Sequence, residues 1–304
     1  MPSVLESITS PAFKDRLAEI IRTEPDATVL SYMLSPAQQW HWGHSVGVAR
    51  DAKLAKLVPP LPPEKLRALT AAPDAPTFLW TGLADLQTFM DVFARHGTAP
   101  AGRKLRVFDF GCGAGRMTRF LGMMDAVEAH ASEINPDMAK WCRENLKTVV
   151  TTKNEELPPL SFADGAFDFV YSMSIFTHLS EERTRPWLDE MARVLAPGGI
   201  LAVTTHAHTA LGIIKGSKVH QDMFGVDAAQ TAELQTRLET ERFIFLPYKF
   251  LTRTMAKVGS EYGNSFIHPA YIDAKWNTDT LEVLAHQPGG LRGWQDMVVL
   301  RRKG

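Results

Sequence analysis

The sequence predicts an α/β fold in which a doubly wound, mostly parallel β-sheet carries helices on both faces. From about residue 105 onward, short apolar runs typical of strands alternate with stretches whose apolar residues recur at helical spacing. The first of these runs, residues 107–110, leads directly into a glycine-rich bend. Ligands of such sheets bind beyond the carboxyl ends of the strands, so the bend and its counterparts are the expected functional positions.

Residues 1–99 are predicted to form a helical extension that roofs the substrate site. Ser10 and Pro11 are a typical N-cap and first-turn pair, and an apolar stripe at helical spacing follows at Phe13, Leu17 and Ile20. The aromatic patch Trp40-His41-Trp42 has two interpretations: it lines a substrate pocket, or it buries a helix edge, and the second is favoured.

The bend itself has glycine at positions 111, 113 and 115. Glycines at alternate positions allow a tight turn and the close approach of a ligand, and the helix predicted to follow would offer unpaired N–H groups. The dinucleotide fingerprint G-x-G-x-x-G would need a glycine at position 116, where Arg116 stands. Arg116 could pair with a ligand carboxylate or lie exposed in the first helical turn.

Two acids follow the predicted strands. Asp109 precedes the bend, where a carboxylate would repel a pyrophosphate but suit an ammonium or sulfonium group. Glu133 ends the next apolar run, 24 residues later, and an acid there can accept both hydroxyls of a ribose.

These features resemble the class I (Rossmann-like) S-adenosylmethionine-dependent methyltransferases of the bacterial small-molecule type. Residues 157–165, 167–179 and 193–203 resemble further motifs of that family in order and spacing, and residues 293–300 resemble its last strand. The resemblance is strong over residues 100–206. It implies a seven-stranded sheet and a methyltransferase domain over residues 100–304, with an insertion after strand five at about 207–260.

The resemblance also implies the cofactor, S-adenosylmethionine (SAM), with S-adenosylhomocysteine as product. Asp109 and the three glycines are expected to hold its methionine end, and Glu133 its ribose. Asn154 is a candidate for the adenine edge, although a plain turn residue is almost as consistent with the sequence. The site is further expected to include Ile134 and Ser172.

An oxygen acceptor needs a general base, and histidine is the natural base near neutral pH. His178 follows the fourth predicted strand and is the first candidate, with His206 and His208 after the fifth strand as weaker ones. A metal site is not indicated, because the sequence shows no His/Asp/Glu cluster at ligand spacing. Substrate contacts are expected from residues 31–57 and 207–270, where the resemblance is weakest.

Composition and net charge limit the classes of molecule with which the protein is expected to interact. A net charge of −1 and the absence of any long basic run argue against nucleic acid. Two cysteines, no leader-like N-terminus and no long apolar run indicate free thiols in the cytoplasm and no membrane span. The oligomeric state is not set by the sequence, and a homodimer is compatible with it.

The predicted function is methyl transfer to an oxygen, or secondarily a nitrogen, of a small molecule such as a specialised metabolite. Two alternatives stay open at this point. One is a methyltransferase for protein or RNA, and the other is a SAM-binding protein without methyl-transfer activity.

Overall fold

The computed structural model describes residues 3–23, 35–70, 72–248 and 262–304. Parts of the segments expected to contact substrate, residues 31–34 and 249–261, lie outside the described residues. Within the described chain, no helix is both long and apolar enough to cross a bilayer.

The N-terminal segment is helical. Its helices are α1 (Val4–Ile8), α2 (Pro11–Thr23), α3 (Pro36–Trp42), α4 (Val48–Arg50), α5 (Ala52–Ala55), α6 (Glu64–Ala68) and α7 (Ala75–His96), and a π-helical stretch, Gly43–Gly47, joins α3 to α4. Local sequence explains where they begin, since Ser35 and Gln38 form a capping box at the start of α3. The predicted stripe on α2 is confirmed, because Phe13, Leu17 and Ile20 are its buried residues.

The strands form a seven-stranded sheet and a separate two-stranded one. The larger sheet has the order β3-β2-β1-β4-β5-β9-β8. The strands are β1 (Leu105–Phe110), β2 (Val127–Glu133), β3 (Val149–Lys153), β4 (Phe167–Ser172), β5 (Leu195–Thr205), β6 (Phe243–Pro247), β7 (Gly263–Ile267), β8 (Leu281–Leu291) and β9 (Gln295–Arg302). β1, β4 and β5 pair in parallel, as do β2 and β3, whereas β9 runs antiparallel to both β5 and β8.

Helices alternate with these strands. They are α8 (Thr118–Leu121), α9 (Pro136–Asn145), α10 (Glu181–Val194), α11 (His208–Gly216), α12 (Lys218–Phe224), α13 (Ala228–Glu241) and α14 (Pro269–Lys275). The predicted fold class is confirmed, including the helical extension and the insertion after β5, which supplies α11 to α13 and the antiparallel pair β6–β7.

The helix after the glycine bend differs from the prediction. It was expected to start at once, but α8 begins only at Thr118 and has four residues. The positive φ angles of Gly111, Gly113 and Gly115, which are 81°, 56° and 78°, hold the preceding residues in turns instead. A single helical turn contributes little dipole, so the backbone of the bend itself is the chemically relevant part.

The chain divides into two compact units. The N-terminal unit comprises Met1–Ala94, Pro100–Lys104 and Cys112–Lys153, and the C-terminal unit comprises Arg95–Ala99, Leu105–Gly111 and Asn154–Gly304. These units do not divide at residue 99, because the segment after the bend groups with the N-terminal helices. The division into a roof (1–99) and a methyltransferase domain (100–304) stays a prediction.

Each unit has its own core. In the N-terminal unit one cluster joins Phe78 of α7 to Ala114 in the bend and Met138 of α9. In the C-terminal unit the main cluster packs β1, β4, β5 and β9 against α10 and α14, and a second cluster unites α11, α13, β6 and β7. The insertion is therefore a packed element with its own apolar cluster, and can position side chains accurately.

Candidate active site

The glycines of the bend are required by backbone conformation and by packing. A Cβ at Gly111 would lie 2.4 Å from Cδ1 of Ile175, and one at Gly115 would lie 2.6 Å from Cδ1 of Leu146. Protein side chains, and not a ligand, thus occupy the space beside these two glycines. The glycines of the bend therefore provide the turn itself, which sets the orientation of its backbone N–H groups.

Glu133 holds the bend from the end of β2. Its carboxylate accepts the N–H of Gly113 at 2.7 Å and the N–H of Asn135 at 2.7 Å. Burial raises the pKa of Glu133, while these two donors act in the opposite direction. Each carboxylate oxygen keeps a further lone pair, so the side chain fits the role of a hydroxyl acceptor as well as that of an anchor. Ile134, which follows it, is half-buried.

The cysteine thiols lie at the same bend. Sγ of Cys112 and Sγ of Cys142 approach the carbonyl oxygen of Gly113 at 3.6 and 3.5 Å, and both thiols are free and buried. The expectation of free thiols is confirmed, whereas a cytoplasmic location stays a prediction.

In the C-terminal unit, Asp109 and Ser172 lie at the carboxyl ends of neighbouring strands. Asp109 is fully buried and opposite Tyr171 in the β1–β4 register. The hydroxyl of Ser172 donates to the carbonyl of Phe110 at 3.0 Å, which ties β4 to β1. The proton of the Ser172 hydroxyl is therefore used in a hydrogen bond within the sheet.

Asn154 carries a buried acceptor that the protein does not use. Its amide nitrogen donates to the carbonyl of Glu155 at 2.9 Å, while its Oδ1 is buried with no hydrogen-bond partner in the described chain. A buried acceptor without a donor is unfavourable, by about 1–3 kcal/mol. A ligand N–H, such as the adenine amino group, would satisfy it.

The exposed first-turn position considered for Arg116 is wrong, whereas its pairing with a ligand carboxylate stays a prediction. Arg116 is buried, not exposed, and its Nη1 lies 2.6 Å from Oδ2 of Asp85 on α7, which is itself 1% exposed. Its guanidinium is thus engaged within the protein. The backbone carbonyl of Arg116 also lies so close to Gly82 of α7 that a Cβ there would clash at 2.2 Å. These two contacts fix the bend against α7. The spacing of residues in the sequence does not indicate Asp85, 31 residues away, as the partner of Arg116.

His178 is held in one orientation by β7. The carbonyls of its neighbours Thr177 and Leu179 accept the backbone N–H and the hydroxyl of Ser265. Its own Nδ1 lies 2.8 Å from the carbonyl of Gly263, and a carbonyl can only accept, so Nδ1 carries the proton. Nε2, which makes no hydrogen bond to the described residues, then has the free lone pair that a general base needs.

Tyr248 and Asn264 complete the surroundings of His178. The Tyr248 hydroxyl donates to Oδ1 of Asn264 at 3.1 Å, so its oxygen faces Nδ1 of His178, 3.3 Å away, as a second acceptor. Burial lowers the pKa of His178, which keeps the imidazole neutral at pH 7. Sequence analysis missed both residues, because no motif links them to a histidine at least 70 positions away.

His206 is not suited to act as a base. Its Nε2 lies 3.4 Å from the amide nitrogen of Gln295, which donates to it and occupies the lone pair. Burial lowers the pKa of His206 to about 3, and rings of Phe224, Phe266 and Trp294 surround it.

His208 belongs to a cluster that sequence spacing did not reveal, because its members come from three elements. Nitrogen and oxygen atoms of His208, Glu239 and His268 lie within 4.8 Å of one another, a grouping that could hold a metal ion. However, Nδ1 of His268 accepts the N–H of Ala270 at 3.0 Å, so the lone pair of that nitrogen is used within the protein. The Arg242 guanidinium, 2.9 Å from the same ring, further opposes a cation. The cluster is consistent with ion pairing, and the expectation of no metal stays a prediction.

The aromatic patch packs against other parts of the N-terminal unit. The ring of His41 contacts Trp80 at 3.8 Å between centroids, and the neighbouring His44 stacks on Phe13 at 3.9 Å. His44 is buried, with Nε2 3.1 Å from the hydroxyl of Thr9, and burial lowers its pKa to about 3. These contacts support the interpretation that the patch buries a helix edge.

Comparison with known proteins agrees with the motifs. The profile of the methyltransferase domain family matches residues 107–199. Over 120 residues the chain is 33% identical to 2-methyl-6-phytyl-1,4-hydroquinone methyltransferase of Synechocystis, covering 38% of this chain and 36% of that protein. It is 25% identical over 124 residues to ajmaline N-methyltransferase of Rauvolfia serpentina, covering 39% and 42%.

Among solved structures, a SAM-dependent methyltransferase from Aquifex aeolicus is similar, with a TM-score of 0.44 and 18% identity over 79% of this chain and 98% of that one. The chain spans between 30 and 42% of the length of the curated relatives it matches. Residues 107–199 of this chain thus match a methyltransferase domain, in agreement with the resemblance seen in the sequence.

Proposed function

We propose that the protein transfers a methyl group from SAM to an oxygen, or alternatively a nitrogen, of a small molecule. The observation that carries the proposal is His178. Its proton is fixed on Nδ1 by the Gly263 carbonyl at 2.8 Å, its pKa is lowered, and its Nε2 is left to accept a proton. This is the state that a general base requires before it meets its substrate.

The residues present fit SAM as the cofactor. Glu133 fixes the bend by accepting the N–H of Gly113, and the unused Oδ1 of Asn154 suits an adenine amino group. Asp109 and the three glycines would hold the methionine end, Glu133 the ribose, and Ile134 and the backbone of Ser172 would line the site. SAM supplies an electrophilic methyl group on a sulfonium, and the protein's own contribution is to position and deprotonate the acceptor.

His178 performs the proton transfer in this proposal. As the acceptor hydroxyl becomes a nucleophile, its proton moves to Nε2, and the imidazolium donates from Nδ1 to the Gly263 carbonyl and the Tyr248 oxygen. Both acceptors stabilise the positive charge that forms on the ring. For a nitrogen acceptor the same lone pair would remove the ammonium proton.

The test is a labelling experiment. The purified protein is incubated with methyl-labelled SAM and a small-molecule extract of its source cells, and separately with the protein and RNA fractions. We expect label in a small molecule, together with S-adenosylhomocysteine. Label in protein or RNA alone would replace the proposal by its macromolecular alternative, and bound SAM without any turnover in all fractions would contradict methyl transfer.

Asn154 provides a test of the cofactor's position. Leucine is similar in size to asparagine but has no amide group. Replacing Asn154 by leucine would therefore leave a buried adenine amino group without its hydrogen-bond acceptor. We expect SAM affinity, measured by calorimetry, to fall by about ten- to a hundredfold. Asn145→Leu is the matched control, since that amide also donates to one backbone carbonyl, at 2.8 Å. Unchanged affinity in Asn154→Leu would remove Asn154 from the site.

A further inference from the structure

The insertion after β5 forms a cavity of about 730 Å³ that opens to the surface. It is lined by residues of α12, α13 and β6 and by Asn264 of β7, all within the C-terminal unit. Its volume lies within the range of pockets that bind cofactors and drug-sized ligands, about 300–1,000 Å³.

Most of the cavity wall is apolar. It includes Met223 and Phe224 of α12, Leu234 of α13, and Leu246 of β6. Met223 is 60% exposed and Val219, one turn earlier on α12, is 75% exposed. These are the most exposed large apolar side chains of the described residues, and Met223 is itself part of the cavity wall, which therefore favours an apolar ligand.

Among the charged side chains of the cavity wall, the carboxylate of Glu233 differs from the others in its ion pairing. Asp222 is paired with Lys218 at 2.6 Å, and Arg237 is held by both oxygens of Glu241 at 2.7 and 3.1 Å. Glu233 also lines the cavity but makes no ion pair with any described residue. The cation closest to Glu233 along α13 is Arg237, whose guanidinium already donates to both carboxylate oxygens of Glu241. The described residues of the wall therefore carry a net negative charge beside an apolar surface.

The cavity also reaches the surroundings of His178. Tyr248 and Asn264 are lining residues, and the Tyr248 hydroxyl lies 3.3 Å from Nδ1 of His178 while donating to Asn264. A ligand in the cavity thus shares two wall residues with the base.

From the apolar wall, from Glu233, which makes no ion pair with a described residue, and from the link to His178, we propose that this cavity binds the methyl acceptor, and that the acceptor is an apolar molecule carrying a protonated amine opposite Glu233. Naming the ligand as the acceptor rests on the proposed methyl transfer. The cavity and its charge preference do not, and can be tested without SAM.

The test uses three probes with one apolar body: 3-(2-naphthyl)propylamine, 3-(2-naphthyl)propanol and 3-(2-naphthyl)propionate. Binding to the full-length protein is titrated by fluorescence at low salt and neutral pH. Because Glu233 is partly solvated, we expect the amine to bind about three- to fivefold tighter than the alcohol, and the carboxylate to bind weakest. High salt should reduce these differences.

Two variants locate the effect. Glu233→Gln should bind amine and alcohol equally, and Glu233→Lys should favour the carboxylate. Glu239→Gln, which removes the same charge from the same helix outside the cavity wall, should keep the preference of the unmodified protein. All these positions are exposed, and equal melting temperatures would show that folding is unchanged.

The inference is overturned if the three probes bind equally, or if Glu233→Lys still favours the amine. Those results would leave methyl transfer itself untouched. Conversely, the expected pattern of probe binding combined with no labelled product would retain the cavity as an amine site and reject the proposed function.

Discussion

Replacing His178 by glutamine is expected to lower kcat for methyl transfer by about 10²- to 10⁴-fold, the contribution typical of a positioned general base. Glutamine can still donate to the Gly263 carbonyl, but has no lone pair of comparable basicity at the position of Nε2. SAM affinity should stay unchanged, since the substitution removes a proton acceptor and no group assigned to the cofactor. Single-turnover kinetics with the identified acceptor measure the effect, and calorimetry measures SAM binding.

The pH profile separates a base from a merely structural histidine. Because the pKa of His178 is lowered, the neutral and active form persists below the ordinary histidine pKa of about 6.5. Activity should therefore be constant through neutral pH and fall only on the acid side of that value. In the glutamine variant this acid limb should disappear from the residual activity.

Controls for this prediction come from neighbouring side chains. His208→Gln, which removes an exposed histidine paired with Glu239, should leave kcat unchanged. Tyr248→Phe should cost less than about tenfold, because the Gly263 carbonyl still fixes the tautomer, and should move the acid limb to lower pH, because one acceptor of the imidazolium is lost. A normal rate in His178→Gln, or an acid limb that survives it, would show that the base lies elsewhere.

The fold was predictable because its signals are local. The alternation of strands and helices depends on neighbours in sequence, and so does the Ser10-Pro11 helix start, where the Ser10 hydroxyl accepts the N–H of Phe13 at the beginning of α2. The positive φ angles at the bend likewise follow from glycine at alternate positions. Residue types at short range were sufficient for these features.

The site was only partly predictable, because its specific contacts are distant in sequence. His178 was chosen by its place after a strand, but its tautomer depends on Gly263, 85 residues away. Arg116 is buried and pairs with Asp85, a partner 31 residues away that its place after the bend does not predict. The cavity has no sequence signature, since its wall combines four elements of an insertion whose packing is decided by tertiary contacts.

The pairing of Asp85 with Arg116 leads to the largest predicted effect on stability. Asp85→Ala leaves a buried guanidinium without this carboxylate, and removing one partner of a buried ion pair typically costs about 3–5 kcal/mol. We therefore expect the free energy of unfolding to fall by about that amount, measured by urea denaturation. Because Arg116 follows the glycine bend directly, SAM affinity should fall as well.

Two further variants distinguish a buried pair from a general sensitivity to mutation. Removing both charges in Asp85→Leu/Arg116→Met should recover most of the lost stability, because desolvation of two charges offsets much of their attraction. Asp189→Ala on α10 breaks an exposed ion pair with Arg185 at 2.9 Å and should cost less than about 1 kcal/mol. If Asp85→Ala costs no more than Asp189→Ala, or the double variant is less stable than Asp85→Ala, then the ion pair does not hold the bend onto α7. In that case the close contact of Gly82 with the Arg116 carbonyl would be the remaining constraint on the cofactor turn.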